Sequence, residues 1–151
     1  MTTKNQVVDK AREWIGTPFH HQGRSHGIGV DCIGLVIVVA QALGLKSRTA
    51  PEQTEFTGYS RVPHGGMLVQ TMREHLVEIG KASMEPGDIV VVSYDVDPQH
   101  VGILGNYRHG GLSIIHAAGI TGKVIETRLM FSRSMQFVTA FSLSGVVAWH
   151  S

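Results

Sequence analysis

A run of twelve residues, from Cys32 to Leu43, constrains the fold more than any other segment, because it is almost entirely apolar. Its Ile and Val content would suit a buried strand, and periodicity alone does not separate such a strand from a buried helix. The length of the run, its last residues from Ala40 onward, and Gly44 as a stop signal favour the helix. We therefore predict a buried helix that begins at Cys32.

Predicted helices come first along the chain, and predicted strands follow them. An amphipathic helix is expected from about Thr3 to Ile15, capped by Thr2 or Thr3, and helical spacing returns from Met67 to Ile79. After a turn at 85–88, five short segments have strand-like composition: Ile89–Ser93, Val101–Gly105, Leu112–His116, Lys123–Thr127 and Ser144–Trp149. This order is typical of an α+β fold with an antiparallel sheet. A length of 151 residues predicts a single domain that spans 1–151.

Charge and hydropathy limit the partners and the location that we expect for this protein. The net charge is +1 and charges of both signs are dispersed, so we expect no nucleic-acid partner. The first residues lack the apolar core of a signal peptide, and the apolar stretch 33–45 is too short to span a bilayer. We therefore expect no membrane insertion and a protein that is cytoplasmic when synthesised. The polar segment 46–66 is long enough to border a functional site.

The single cysteine, Cys32, is a candidate nucleophile because of where it lies. A thiol at a helix N-terminus feels unpaired backbone N–H groups, which lower its pKa and favour the thiolate. The alternative is a buried, inert thiol, which is common for free cysteines. Asp31 before the thiol and Gly34 after it favour the nucleophile. Asp31 itself is better suited to capping the helix than to catalysis.

Two histidines on predicted strands could complete the chemistry of a cysteine nucleophile. His100 and His116 lie in strand-like segments well separated from Cys32, as a general base and an orienting group would. Each also has a structural alternative. His100 follows a turn-like stretch and would then be a surface loop residue, whereas His116 would be a hydrogen-bonded core histidine.

Four motifs occur in order along the chain: Asp31-Cys32-Ile33-Gly34-Leu35-Val36, Gly87-Asp88-Ile89-Val90, His100-Val101-Gly102-Ile103 and His116-Ala117. Together they resemble the NlpC/P60 family of papain-like cysteine peptidases, which cut the peptide stems of bacterial cell walls. The resemblance covers roughly residues 8 to 130. The loop from Thr17 to Gly23 is most similar to the phage-associated branch, whose members sit in tails or tail-like particles.

The resemblance implies a papain-like α+β fold, with the nucleophile at a helix N-terminus packed on an antiparallel sheet or barrel. It also implies that Cys32 attacks an amide carbonyl and forms an acyl-thioester. His100 would take the thiol proton and later protonate the leaving amine, while His116 would hold the His100 ring in its productive tautomer. Peptidoglycan stems are the expected substrate, and phage tail proteins and a virion tail are the expected partners and destination.

The chain departs from the family pattern close to the expected cleft. Many members carry a tyrosine about a dozen residues before the cysteine, and its hydroxyl is thought to help bind the oxyanion; Phe19 stands here instead. Loss of one such donor can cost about 3 kcal/mol of barrier lowering. His20, His21 or Gln22 could replace the donor. With Phe19 and Asp31, these three residues form the predicted substrate cleft or oxyanion site.

Other functions compete with this interpretation. A metal site built from His20, His21 and His26, with Cys32 or Asp31 as a further ligand, is disfavoured because neighbouring histidines rarely converge on one ion and no paired metal-binding motif is present. We therefore expect neither a metal nor a cofactor. A structural phage-tail component with weak or no activity is one alternative, and another thiol-dependent acyltransferase or amidase is a second.

Overall fold

A six-stranded antiparallel sheet occupies the centre of the part of the chain that the structure describes. The structure is a computed structural model that describes residues 2–21, 23–45, 67–94, 99–143 and 145–150. Gln22 and the polar segment 46–66 lie outside these residues. The elements, in chain order, are α1 (Lys4–Arg12), β1 (Arg24–Ser25), β2 (Gly29–Val30), α2 (Cys32–Ala42), α3 (Met67–His75), β3 (Val77–Ile79), a short 3₁₀ helix (Lys81–Ser83), β4 (Ile89–Tyr94), β5 (His100–Asn106), β6 (Leu112–Ala118), β7 (Lys123–Arg128) and β8 (Met135–Ser142).

The strands of the large sheet lie in the order β3-β8-β4-β5-β6-β7, and β1 pairs separately with β2. Neighbouring strands of the large sheet run antiparallel throughout. Helices therefore precede most of the sheet along the chain, and the predicted α+β fold is confirmed. None of the helices in the described ranges has the length and hydropathy needed to cross a membrane.

Helix α2 begins at the predicted residue and is buried as predicted. The Asp31 carboxylate accepts a hydrogen bond from the Gly34 backbone N–H at 2.7 Å, which caps the helix. The helix packs against α1 and against β5 and β6. Because its residues are apolar around most of its circumference, burying it supplies a large part of the core.

Two predicted elements differ in the structure. The helix expected from Met67 to Ile79 ends at His75, and Val77–Ile79 forms β3. The strand expected at Ser144–Trp149 is absent from the described residues 145–150, where Val147 makes an isolated bridge with Thr3. The last strand is instead β8, which lies between β3 and β4. Whether these segments form strands depends on pairing with strands that are distant in the sequence. Local composition carries little information about such pairing.

The predicted turn at 85–88 is attached to α1 through a buried lysine. The Lys4 ammonium lies 2.6 Å from a Glu85 carboxylate oxygen and 2.8 Å from one of Asp88, whose side chain is fully buried. Burial raises the pKa of Asp88, although its hydrogen bond with Lys4 opposes that rise. Gly87 has a positive φ of 92° and packs directly on Lys4, so a side chain would fit neither the backbone nor the space. The Gly87-Asp88 motif therefore has a structural role here.

The two faces of the sheet are covered by different clusters. Val91, Val101 and Ile103 belong to the larger cluster, which includes the residues of α1 and α2 that face the sheet. A smaller cluster on the other face contains Leu104 and Ile114, and also Val90, Val92 and partly buried aromatic residues. Because strand residues alternate between faces, His100 and Gly102 share the face of Leu104.

Candidate active site

The structure joins the two predicted catalytic histidines directly. His100 is the first residue of β5, and His116 lies near the end of the antiparallel neighbour β6. Nε2 of His100 lies 2.7 Å from Nδ1 of His116, within hydrogen-bond distance. The ring centroids are 4.9 Å apart and the rings are inclined at 72°. Only 4% of each residue is exposed. The two rings are therefore buried and contact each other through one nitrogen each.

Burial keeps both imidazoles neutral at pH 7. It lowers the pKa of His100 to about 4. Burial, and then the neighbouring charge of His100, lower the pKa of His116 to about 4. A neutral imidazole has one N–H and one accepting nitrogen. If His100 donates its Nε2–H to Nδ1 of His116, its own Nδ1 is the basic nitrogen, which is the form required of a general base.

Tyr94 and Gly102, to which the sequence assigned no role, lie next to the histidine pair. The Tyr94 ring lies 5.1 Å from the His100 ring, inclined at 54°. A Cβ added at Gly102 would lie 2.5 Å from Cγ1 of Ile114 and 3.2 Å from Cβ of His116. Gly102 therefore leaves the space that the neighbouring strand fills. The only sequence signal for Tyr94 is its place directly after a predicted strand, whereas Gly102 stood inside a quoted motif without an assigned role.

Cys32 is the first residue of α2, and its side chain is partly exposed. The N-terminus of this helix supplies unpaired N–H groups and partial positive charge next to the thiol. Asp31 is buried, and one of its oxygens accepts the capping hydrogen bond. The predicted capping role of Asp31 is thus what the structure shows.

A backbone ladder brings the start of α2 to the end of the sheet that carries the histidine pair. The Phe19 N–H donates to the Gly122 carbonyl oxygen at 2.8 Å, in the turn that follows β6. On its other side the same segment pairs with β2: the Val30 N–H donates to the Pro18 carbonyl oxygen at 3.0 Å. Cys32 follows Val30 by two residues. The loop before the nucleophile therefore extends the sheet sideways beyond β7, at the end of the sheet where β6 finishes.

The remaining predicted cleft residues lie on this loop. Phe19 is 36% exposed, and His20 and His21 are exposed. The Nδ1–H of His20 donates to the His21 carbonyl oxygen at 3.0 Å. Gln22 lies outside the described residues. His26, a candidate in the metal alternative, donates from Nε2 to the Glu13 carbonyl oxygen at 2.7 Å, so this nitrogen is already used.

Comparisons with known proteins identify the family. The family model described as "NlpC/P60 family" matches residues 16–141, and the chain belongs to this family. The resemblance drawn from the four motifs is thereby confirmed. A comparison with curated protein sequences finds no match.

Solved structures of the same fold agree with this assignment. The NlpC/p60 domain of the peptidoglycan hydrolase SagA is 21% identical, with a TM-score of 0.61 over 94% of this chain and 100% of that domain. NlpC2 from Trichomonas vaginalis is 17% identical, with a TM-score of 0.65 over 95% of this chain and 48% of that protein. An N-acetylmuramoyl-L-alanine amidase from Bacteroides uniformis is 13% identical, with a TM-score of 0.57 over 93% and 98% of the two chains. At these identities the likeness establishes the fold.

Proposed function

We propose that this protein is a cysteine hydrolase that cleaves amide bonds in the peptide stems of peptidoglycan. Cys32 is the nucleophile, His100 the general base and acid, and His116 the residue that orients His100. The buried hydrogen bond of 2.7 Å between the two histidines carries the proposal, because it orients the His100 ring through Nε2. We assign the proton transfer to the other ring nitrogen, Nδ1. Membership of the NlpC/P60 family supports the substrate class, as do the names of SagA, a peptidoglycan hydrolase, and the Bacteroides amidase.

The proposed reaction has two halves. The Cys32 sulfur attacks the amide carbonyl carbon while Nδ1 of His100 takes the thiol proton, and the tetrahedral intermediate then expels the amine, which receives that proton. Water attacks the resulting thioester, His100 takes a proton from that water, and the proton returns to the departing thiolate. While His100 is charged, its Nε2–H bond to His116 is charge-assisted and therefore stronger.

The oxyanion donors follow from the loop and the helix start. The Cys32 backbone N–H, at the N-terminus of α2, is one donor. Phe19 supplies no hydroxyl, and its backbone N–H is already bonded to Gly122. His20 commits its Nδ1–H to the His21 carbonyl, so its Nε2 can donate only when the ring is protonated. We therefore propose that this site works with fewer neutral donors than relatives that carry the loop tyrosine.

We also propose that a phage tail delivers this protein to the cell wall, because the loop from Thr17 to Gly23 is most similar to the phage-associated branch of the family. The same loop supports the second candidate, a tail component that keeps the fold but cuts weakly or not at all, since Phe19 removes a donor. A reactive thiol distinguishes the two. A catalytic Cys32 is alkylated by iodoacetamide well below the ordinary thiol pKa of about 8.5, whereas an inert thiol is not.

The decisive experiment is digestion of purified peptidoglycan, with the fragments identified by mass spectrometry. The wild-type protein is expected to release stem fragments with new amine and carboxyl ends, and Cys32→Ala to release none while keeping its thermal melt. Cleavage by a folded Cys32→Ala variant would exclude the thiol mechanism. Rapid alkylation without cleavage of any wall type tested would favour acyl transfer, and neither activity would favour the structural tail component.

A further inference from the structure

A polar groove of about 530 Å³ lies at the end of the sheet away from the histidine pair. It is lined by the end of β5, the turn after it, the end of β7 and one residue of α1. His100 is the first residue of β5 and Asn106 is the last, so the groove is about 20 Å from the histidine pair at the rise of an antiparallel strand. This distance separates the groove from the proposed catalytic site.

The groove carries positive charge that its own carboxylate does not neutralise. Arg12 donates from Nε and Nη2 to the two carboxylate oxygens of Glu126, at 3.0 and 2.9 Å. The Ser113 hydroxyl also donates to Glu126, at 2.6 Å. Arg108 and Arg128 line the same groove and are exposed, and their guanidinium groups form no ion pair or hydrogen bond with any residue the structure describes. Two guanidinium groups are therefore available to an anion.

The groove also borders an open strand edge. β7 is one of the two edge strands of the sheet. On its side away from β6, the Val124 N–H donates to the Thr17 carbonyl oxygen, and the Val124 carbonyl oxygen accepts from the Gly16 N–H. Backbone groups of alternate residues point the same way in an antiparallel strand, so those of Glu126 and Arg128 also face outward. Within the described ranges no backbone group pairs with these outward groups of Glu126 and Arg128. The segment that borders β7 departs from the edge at Gly16, which the chain reaches from α1.

We propose that this groove binds an extended acidic peptide. The peptide adds a strand beside Glu126 and Arg128 of β7, and its carboxylates pair with the guanidinium groups of Arg108 and Arg128. An open edge supplies main-chain hydrogen bonds, and guanidinium forks select carboxylates, so the two features together favour an acidic peptide over an uncharged one. The proposal does not depend on the catalytic proposal, since the groove lies at the opposite end of the sheet.

The test uses calorimetry on the full chain carrying Cys32→Ala, so that no peptide is cleaved. The probe is a short, end-blocked peptide of alternating Glu and Thr, and its control has Gln in place of Glu. The acidic peptide is expected to bind at least about tenfold more tightly than its control, because the control cannot form charge-assisted hydrogen bonds with the guanidinium groups. Equal binding of the two peptides, or none, would overturn the proposal. Stronger binding of tripolyphosphate would also overturn it and assign the groove to phosphates.

Substitutions and hydrogen exchange locate the binding. The double variant Arg108→Gln, Arg128→Gln is expected to lose about tenfold or more of the affinity. Arg133→Gln makes a like change at an exposed arginine outside the groove, and a loss under about twofold is expected there. Slower amide exchange at Glu126 and Arg128 on binding would support strand addition. Equal losses in the groove and control variants, or unchanged exchange at those amides, would contradict it.

Discussion

Lowering the pH from about 7.5 to about 5 should destabilise the protein through its buried histidine pair. The pKa of each histidine is about 4 in the folded protein, against 6.5 for an unperturbed histidine. The unfolded chain therefore binds more protons between those values, and the free energy of unfolding falls as the pH falls through this window. Each histidine contributes stability that is present above pH 6.5 and is lost towards pH 4.

The magnitude follows from the two pKa values. At pH 5 the unfolded imidazoles are almost fully protonated and the folded ones are about one-tenth protonated, which corresponds to a loss of about 2 kcal/mol for each histidine. The two histidines together should lower the free energy of unfolding by about 4 kcal/mol over this pH range. Burial acts to raise the pKa values of Glu78, Glu85 and Glu126, but hydrogen bonds and the attraction of basic side chains together outweigh it, and all three values are lowered. Their contributions are lost mainly below this window.

Urea denaturation at the two pH values measures the change, and single variants assign it. His116→Gln removes one of the two titrating rings and should reduce the pH-dependent loss by about half, to about 2 kcal/mol. His109→Gln is the matched control, since His109 is exposed and lies outside the pair; its loss should equal that of the wild type. A wild-type loss under about 1 kcal/mol, or an undiminished loss in His116→Gln, would refute the reasoning.

Three substitutions test other parts of the structure. Lys4→Met leaves the buried Asp88 carboxylate without its cation and should destabilise the protein by about 3–5 kcal/mol in urea denaturation; a cost under about 1 kcal/mol would contradict the ion pair. Gly102→Ala should cost about 1–3 kcal/mol because the added methyl meets the neighbouring strand, whereas Gly119→Ala, with open space around it, should cost less in the same assay. Phe19→Tyr should raise kcat/KM for wall fragments by about tenfold if its hydroxyl reaches the oxyanion. A folded Phe19→Tyr variant with unchanged kinetics would mean that another donor already acts there.

The sequence predicted the parts of the fold that short-range signals determine. Helix α2 was predicted correctly because its capping residue Asp31 and its stop signal are adjacent to it in sequence. The strands β3 and β8 were missed because each is selected by a partner far along the chain: Ile79 pairs with Ala140, and Ile89 with Phe141. No local pattern contains that information.

The same distinction applies to the candidate site. His100 and His116 were found because each stands in a short motif, and the resemblance to the family implied the contact between them. The atoms that make the contact and its depth of burial come from the structure. Tyr94 places its ring beside His100, and Gly102 leaves room for Ile114 and His116 of the neighbouring strand. Both effects depend on the register of the strands, which sequence alone does not give. Sequence thus identified the candidate catalytic residues, and the structure shows their environment in the sheet.

Burial of the histidine pair acts on the proposed chemistry in two opposing ways. Moving a proton from an ordinary thiol of pKa about 8.5 to an imidazole of pKa about 4 would cost about 6 kcal/mol if the two groups did not interact. The same low-dielectric surroundings strengthen the attraction between a thiolate and an imidazolium once both exist. The N-terminus of α2 stabilises the thiolate, and the charge-assisted bond to His116 stabilises the imidazolium. Proton transfer from Cys32 to His100 before substrate binds therefore requires these attractions to offset the effect of burial, and alkylation of Cys32 well below a pH of about 8.5 is the result expected when they do.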